Sequence, residues 1–258
     1  LRPPRRGAPL IEPYTGYATP DALILRGRCL TALRRAAPEP EQSRWTNLRQ
    51  MASLFLTSEV ADVAVEGGGV RARTDEEGYF TLTAPRGDVA PGWQRVPVRV
   101  VGRPETEVAV EVMVAAASAP ALVISDIDDT VIETGAYSLR RNLWTSLTGN
   151  ALTRRVFADT AALLERLAAA GAPVFYVSSS PWNLHHFLNT VFAANGVPKG
   201  PMFLRDLGIN PEPAGHHGHK SAAIEAVLAA HPGLPAILVG DTGQKDPAIY
   251  AAAAARRP

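Results

Sequence analysis

The chain has 258 residues, 46% of them apolar and 20% charged, with a net charge of +1. That is the composition of a globular protein with one large domain or two small ones, and it offers no charge excess to draw it to nucleic acid or an anionic membrane. A single cysteine, Cys29, excludes an intrachain disulfide and so gives no sign of an oxidising compartment.

The start, "LRPPRRGAPL", has neither an initiator Met nor the apolar core of a signal peptide, which suggests trimming. No run approaches the ~20 apolar residues that span a bilayer. The expectation is a cytoplasmic protein, peripheral to a membrane at most. Short alternating segments then follow at 22–30, 69–75, 79–84, 95–101 and 107–114. Period-two alternation bounded by Gly, Pro and Asp predicts antiparallel strands with one wet face, and their spacing predicts a small β-sandwich. "TDEEGYF" at 74–80 reads as a turn, with Gly78 at its permissive position.

Within this part, "SRWTNLRQMASLFLTSEV" (43–60) has Trp45, Leu48, Met51, Ala52, Phe55 and Leu56 at helical spacing behind a Ser43 N-cap. Its apolar face suits packing on a core, and Arg44 and Arg49 beside Trp45 keep an interfacial lipid contact open.

The texture changes near 115–120. "ALVIS" (121–125), "PVFYVS" (173–178) and "AILVG" (236–240) are continuous apolar runs, as expected of parallel strands covered on both faces. Helical stretches are expected at 150–171, ended by Gly171, at 182–196 and at 219–231, and 200–206 supplies a further short strand. This alternation predicts a doubly wound parallel sheet. The expected domains are an N-terminal all-β sandwich with one inserted helix over 1–118 and an α/β domain over 119–258. The parallel-sheet pattern calls for another strand after the last helix, so the expectation is either a missing C-terminal piece or a shorter sheet than usual.

The polar residues fall at the ends of those runs. Asp126 and Asp128 follow the first strand, Ser178 ends the second, Asp241 and Asp246 follow the last, and Lys220 heads the preceding helix. In open α/β sheets ligands bind outside the carboxyl ends of the strands, so these groups share one rim. Crowded carboxylates need a cation, and hard oxygen ligands select Mg²⁺. The set reads as phosphoryl transfer. Asp126 is the nucleophile and Asp128 the acid/base, while Ser178 and Lys220 sit on the non-bridging oxygens. Asp126, Asp128, Asp241 and Asp246 are the expected metal carboxylates. Asp129 reads as a supporting or capping group and Thr130 as satisfying backbone groups in the loop.

"DIDDT" after "LVIS" resembles the first motif of haloacid-dehalogenase-superfamily phosphatases, and "FYVSS", "HK" and "GDTGQKD" resemble the next three in order. "SSSPWNL", "FLRD" and "GDTGQKDPAIY" are closer still to the catalytic domain of the actin-patch-associated phosphatidate phosphatases, over roughly 120–250. The resemblance implies a Rossmann-like domain and a Mg²⁺-dependent phosphatase acting on phosphatidate. Neither gap between motifs holds a full cap domain, which suits a phosphorylated lipid or another phosphoester presented on a surface, with no nucleic-acid partner. The alternatives are a phosphoprotein substrate with the same chemistry, or a lipid- or protein-binding module.

Three features stay open. "HHGH" (216–219) reads as a flexible loop at the rim or, less readily, a zinc tract. Trp182 is either a substrate platform or a cap on the following helix. Arg140, Arg141, Arg154 and Arg155 are either solvated or meet anionic headgroups.

Overall fold

The computed structural model describes residues 8–31, 59–133, 155–205, 215–242 and 246–256, without the side chains of 215–217. Two compact units meet in sequence between Val114 and Ala115.

The first unit is built from β1 (Leu10–Ala18), β2 (Ala22–Leu30), β3 (Ala64–Gly67), β4 (Val70–Arg73), β5 (Tyr79–Pro85), β6 (Gly92–Val100) and β7 (Arg103–Val114). The alternation read from the sequence is visible in β5, where Phe80, Leu82 and Ala84 are buried and Thr81, Thr83 and Pro85 face out. Between β4 and β5, Asp75 Oδ1 accepts the backbone N–H groups of Glu77 and Tyr79, and Gly78 takes φ +82°. The turn expected there is present, and the Asp75 side chain makes it an Asx-type turn.

The sandwich expectation needs correcting. All seven strands form one hydrogen-bonded sheet in the order β4-β3-β6-β7-β1-β2-β5. Its two end strands, β4 and β5, lie in contact. The inward residues enclose a single cluster: Ile11, Leu25, Cys29, Val65, Phe80, Leu82, Val98, Val110 and Val112, with Val70 and Ala72 of β4 packed against it. The sheet is nearly closed on itself. Two stacked sheets and one curled sheet demand the same in/out alternation, so the sequence pattern does not separate them. β1 also pairs parallel to β7, and its antiparallel pairing with β2 shifts register between Tyr14 and Tyr17.

The second unit runs β8 (Leu122–Asp126), α1 (Ala158–Ala169), β9 (Val174–Pro181), a 3₁₀ turn (Trp182–Leu184), α2 (His185–Ala194), β10 (Met202–Arg205), α3 (Gly215–Ala230), β11 (Ala236–Val239) and α4 (Asp246–Arg256). Among the described residues its sheet is four-stranded and wholly parallel, in the order β10-β9-β8-β11. β8 is buried throughout and all but one residue of β9 is buried, as their unbroken apolar runs require of central strands. Gly171 at φ +88° closes α1, its N–H donating to Ala168 O while that of Ala172 reaches Leu167 O.

A second correction concerns "HHGH". Residues 215–219 form the first turn of α3 rather than a loop. Two glycines do not break a helix start when the following residues are strong helix formers. The helix expected over 43–60 lies outside the described residues except for Glu59 and Val60, which are not helical. Arg140, Arg141 and Arg154 also lie outside them. No helix among the described residues is long and apolar enough to cross a membrane.

Candidate active site

The strand order places β8 beside β11, so chain segments leaving both strands emerge at neighbouring carboxyl ends. Asp126 is the last residue of β8 and is 2% exposed. The loop after it is curled tightly. Val131 N and Ile132 N both donate to Ile127 O, and Asp129 N donates to Ile132 O. Asp129 takes φ +58°, a left-handed conformation that Asp adopts at smaller penalty than most residues. Its part is thus to turn the chain. Thr130 Oγ1 donates to Asp126 Oδ2 at 3.2 Å, steadying the carboxylate itself.

Lys220, in the second turn of α3, places Nζ 2.8 Å from Asp126 Oδ1 and 2.5 Å from Asp246 Oδ1. Asp246 opens α4 and is 2% exposed. Asp241, two residues past β11, completes a trio: one carboxylate oxygen from each of Asp126, Asp241 and Asp246 lies within 4.8 Å of the others. Three hard oxygen donors at that spacing fit a Mg²⁺-class cation.

Asp128 is not one of that trio. Ser178 Oγ donates to Asp128 Oδ2 at 2.6 Å and accepts the N–H of Ser180 at 2.8 Å. Ser180 Oγ reaches both oxygens of Asp128, at 3.4 and 3.2 Å. The carboxyl of Asp128 is thus held by the end of β9. Ser180 was not singled out from the sequence; three consecutive serines leave their facing undecided until the strand is built.

Burial dominates the electrostatics. It pushes the Asp126 carboxyl up to about 7, opposed by the Lys220 ammonium and reinforced by Asp128 and Asp246. Burial also raises Asp128, against the two serine donors that favour its charged form. For Lys220 burial pulls downward, but Asp126 and Asp246 outweigh it and hold the ammonium above its usual value. Burial thus raises both carboxyls, opposed at Asp126 by a fixed cation and at Asp128 by two hydroxyl donors.

Trp182 is half-buried in the 3₁₀ turn, with its ring 5.9 Å from that of the buried His185 at the start of α2.

Residues 121–258 match the family described as phosphatidate phosphatase APP1, catalytic domain. The chain belongs to this family. Phosphatidate phosphatases are phosphoric monoester hydrolases. Phosphatidate phosphatase APP1 of Saccharomyces cerevisiae is 31% identical over 139 residues, which are 52% of this chain and 24% of that protein. The chain thus spans about a quarter of that relative's length. A solved structure of the Pnkp1/Rnl/Hen1 complex aligns at a TM-score of 0.34 and 12% identity, over 62% of this chain and 54% of its own.

Proposed function

We propose that this chain is a Mg²⁺-dependent phosphatase that hydrolyses phosphatidate to diacylglycerol and inorganic phosphate through an aspartyl-phosphate on Asp126. The observation that carries the reading is the buried Asp126 itself. It is fixed by Lys220 at 2.8 Å and stands in a carboxylate trio, in a chain of the APP1 catalytic-domain family. The order of the motifs, from "DIDDT" to "GDTGQKD", supports a haloacid-dehalogenase-type domain.

An Asp126 carboxylate oxygen attacks phosphorus in line, and the phosphorus–oxygen bond to the glycerol breaks. The departing oxygen takes a proton from Asp128 and leaves as the hydroxyl of diacylglycerol. A water then attacks the phosphoryl group, gives its proton back to Asp128, and frees Asp126 with release of phosphate. Asp128 suits this cycle because burial favours its protonated form while Ser178 and Ser180 stabilise its carboxylate. Lys220 puts a fixed positive charge where the non-bridging oxygens gather charge. Asp126, Asp241 and Asp246 would hold Mg²⁺, which supplies charge neutralisation between an anionic substrate and an anionic nucleophile.

The test is a substrate panel: phosphatidate in detergent micelles, phosphopeptides and an aryl phosphate, each with Mg²⁺ and with EDTA. Phosphate release from phosphatidate should exceed release from phosphopeptides and vanish in EDTA. Faster peptide hydrolysis would transfer the chemistry to a phosphoprotein substrate. No release from any of the three would end the enzyme reading and leave a binding module.

The ligand set has its own test. Asp241→Asn should weaken Mg²⁺ binding, measured by titration calorimetry, by about 10-fold or more, the scale at which groups around a metal contribute. Asp128→Asn should leave it nearly unchanged. An equal loss in both would restore Asp128 as a ligand, as its place in the sequence suggests.

A further inference from the structure

Beyond the groups already assigned, one hydroxyl joins two parts of the site. Tyr250 lies on α4, one turn after Asp246. Its Oη donates to Val239 O, at the end of β11, at 3.1 Å, and approaches Asp246 Oδ2 at 3.4 Å. Val239 is two residues before Asp241. The other oxygen of Asp246 is taken by Lys220 at 2.5 Å, and Lys220 in turn reaches Asp126. A continuous chain of contacts thus runs from the end of β11 through Tyr250, Asp246 and Lys220 to Asp126.

The backbone between Val239 and Asp241 is shaped for this arrangement. A Cβ on Gly240 would stand 2.6 Å from Asp246 Oδ2, 2.7 Å from the Tyr250 ring and 2.8 Å from Tyr250 Oη. Separations under about 3 Å are not tolerated between packed atoms, so any side chain at 240 displaces the tyrosine–aspartate pair. Burial, with Asp246 and Asp126 adding to it, holds the phenol well above its usual value, so it remains a donor. Neither Tyr250 nor Gly240 has a reaction role of its own.

We propose that Tyr250, seated on Gly240, is a positioning residue: it fixes Asp246 to the end of β11 and through Asp246 sets the Lys220 ammonium against Asp126. The proposal rests on the phosphatase reading for its kinetic arm only.

The experiment compares wild type with Tyr250→Phe and Gly240→Ala. Tyr250→Phe keeps the ring and removes only the hydroxyl. Its kcat on phosphatidate with Mg²⁺ should fall by about 3- to 10-fold, the scale of one hydrogen bond, with KM little changed and the melting temperature held. Gly240→Ala should lower kcat at least as far. In a Lys220→Met background, Tyr250→Phe should cause no further loss, because groups acting through one another are not additive. A full additional loss in that background overturns the proposal, and so does wild-type kcat in Tyr250→Phe.

A second readout needs no turnover. The chain has three lysines, Lys199, Lys220 and Lys245. With ¹³Cε-lysine labelling, the Lys220 resonance, assigned through Lys220→Arg, should move in Tyr250→Phe while that of Lys199 stays. A fixed Lys220 signal would sink the positioning role even for an active enzyme. If wild type released no phosphate from any ester, the phosphatase reading would fall, and this arm would still decide the role of Tyr250.

Discussion

Asp126→Asn should abolish phosphate release, by about 10⁴-fold or more on phosphatidate and aryl phosphate alike, while the protein stays folded. The size of the loss follows from the role proposed for Asp126. An amide cannot form the aspartyl-phosphate, and removing a nucleophile costs nearly all of what its catalytic group contributes. The survival of the fold follows from the electrostatics. Burial pushes the Asp126 carboxyl up to about 7, so the folded chain holds this group in a place that disfavours its charge. Asparagine has the same shape and carries no charge to desolvate. Its carbonyl oxygen can still accept from Lys220 while its amide N–H donates to Thr130 Oγ1 in place of the bond it received, and Lys220 keeps Asp246 as its counter-ion. The melting temperature in EDTA should therefore hold or rise. Residual release above about 1% of wild type would remove Asp126 from the nucleophile's role, since a nucleophile's loss leaves far less. Loss of folding would show that its carboxylate is needed for structure.

The site was more legible than the fold around it. Except for Lys220, which lies on the helix ahead of the last strand, each chemistry-bearing residue of the second unit ends or follows an unbroken apolar run, and parallel strands put the ends of such runs on one rim whatever the loop lengths. Asp126, Ser178, Lys220, Asp241 and Asp246 needed no knowledge of the loops between them. Facing was not legible. "SSS" cannot say that Ser178 and Ser180 both turn to Asp128, since that depends on the path of β9 beyond its ladder. Nor does Asp246–Tyr250, an ordinary i,i+4 pair on a helix, reveal that both lean on Gly240. In the first unit, "LIEPYTGYA" escapes notice as a strand. Pro13 and Gly16 interrupt its alternation, and the register shift between Tyr14 and Tyr17 breaks its period. β3, only four residues long, gives too short a pattern to read. Closure of the sheet rests on contact between β4 and β5, and no local sequence signal carries a contact between the two ends of a strand order.

The second large effect belongs to Lys220. Lys220→Met keeps the stem and removes the ammonium, leaving Asp126 and Asp246, each 2% exposed, without the cation that now bridges them. Breaking a buried pair from one side costs about 3–5 kcal/mol. At roughly 2–4 °C per kcal/mol for a chain of this size, the melting temperature in EDTA at pH 8 should fall by about 6–20 °C. The deficit should depend on pH with a definite sign. The folded Asp126 carboxyl stands at about 7 even with Lys220 lowering it, far above an unfolded aspartate near 3.9. Its contribution to stability is therefore fully present below the unfolded value and lost as pH rises through the folded one. Without Lys220 the folded value climbs further, so the variant should lie close to wild type at pH 5 and fall away from it as pH passes 7. Activity should drop by about 10²–10³-fold, the loss expected when one group facing transition-state charge is removed. Mg²⁺ should raise the melting temperature of the variant more than that of wild type, because a cation among Asp126, Asp241 and Asp246 replaces the missing neutralisation. A deficit that stays constant from pH 5 to pH 8 would mean that Lys220 acts there through packing or through Asp246, not by offsetting the charge of Asp126.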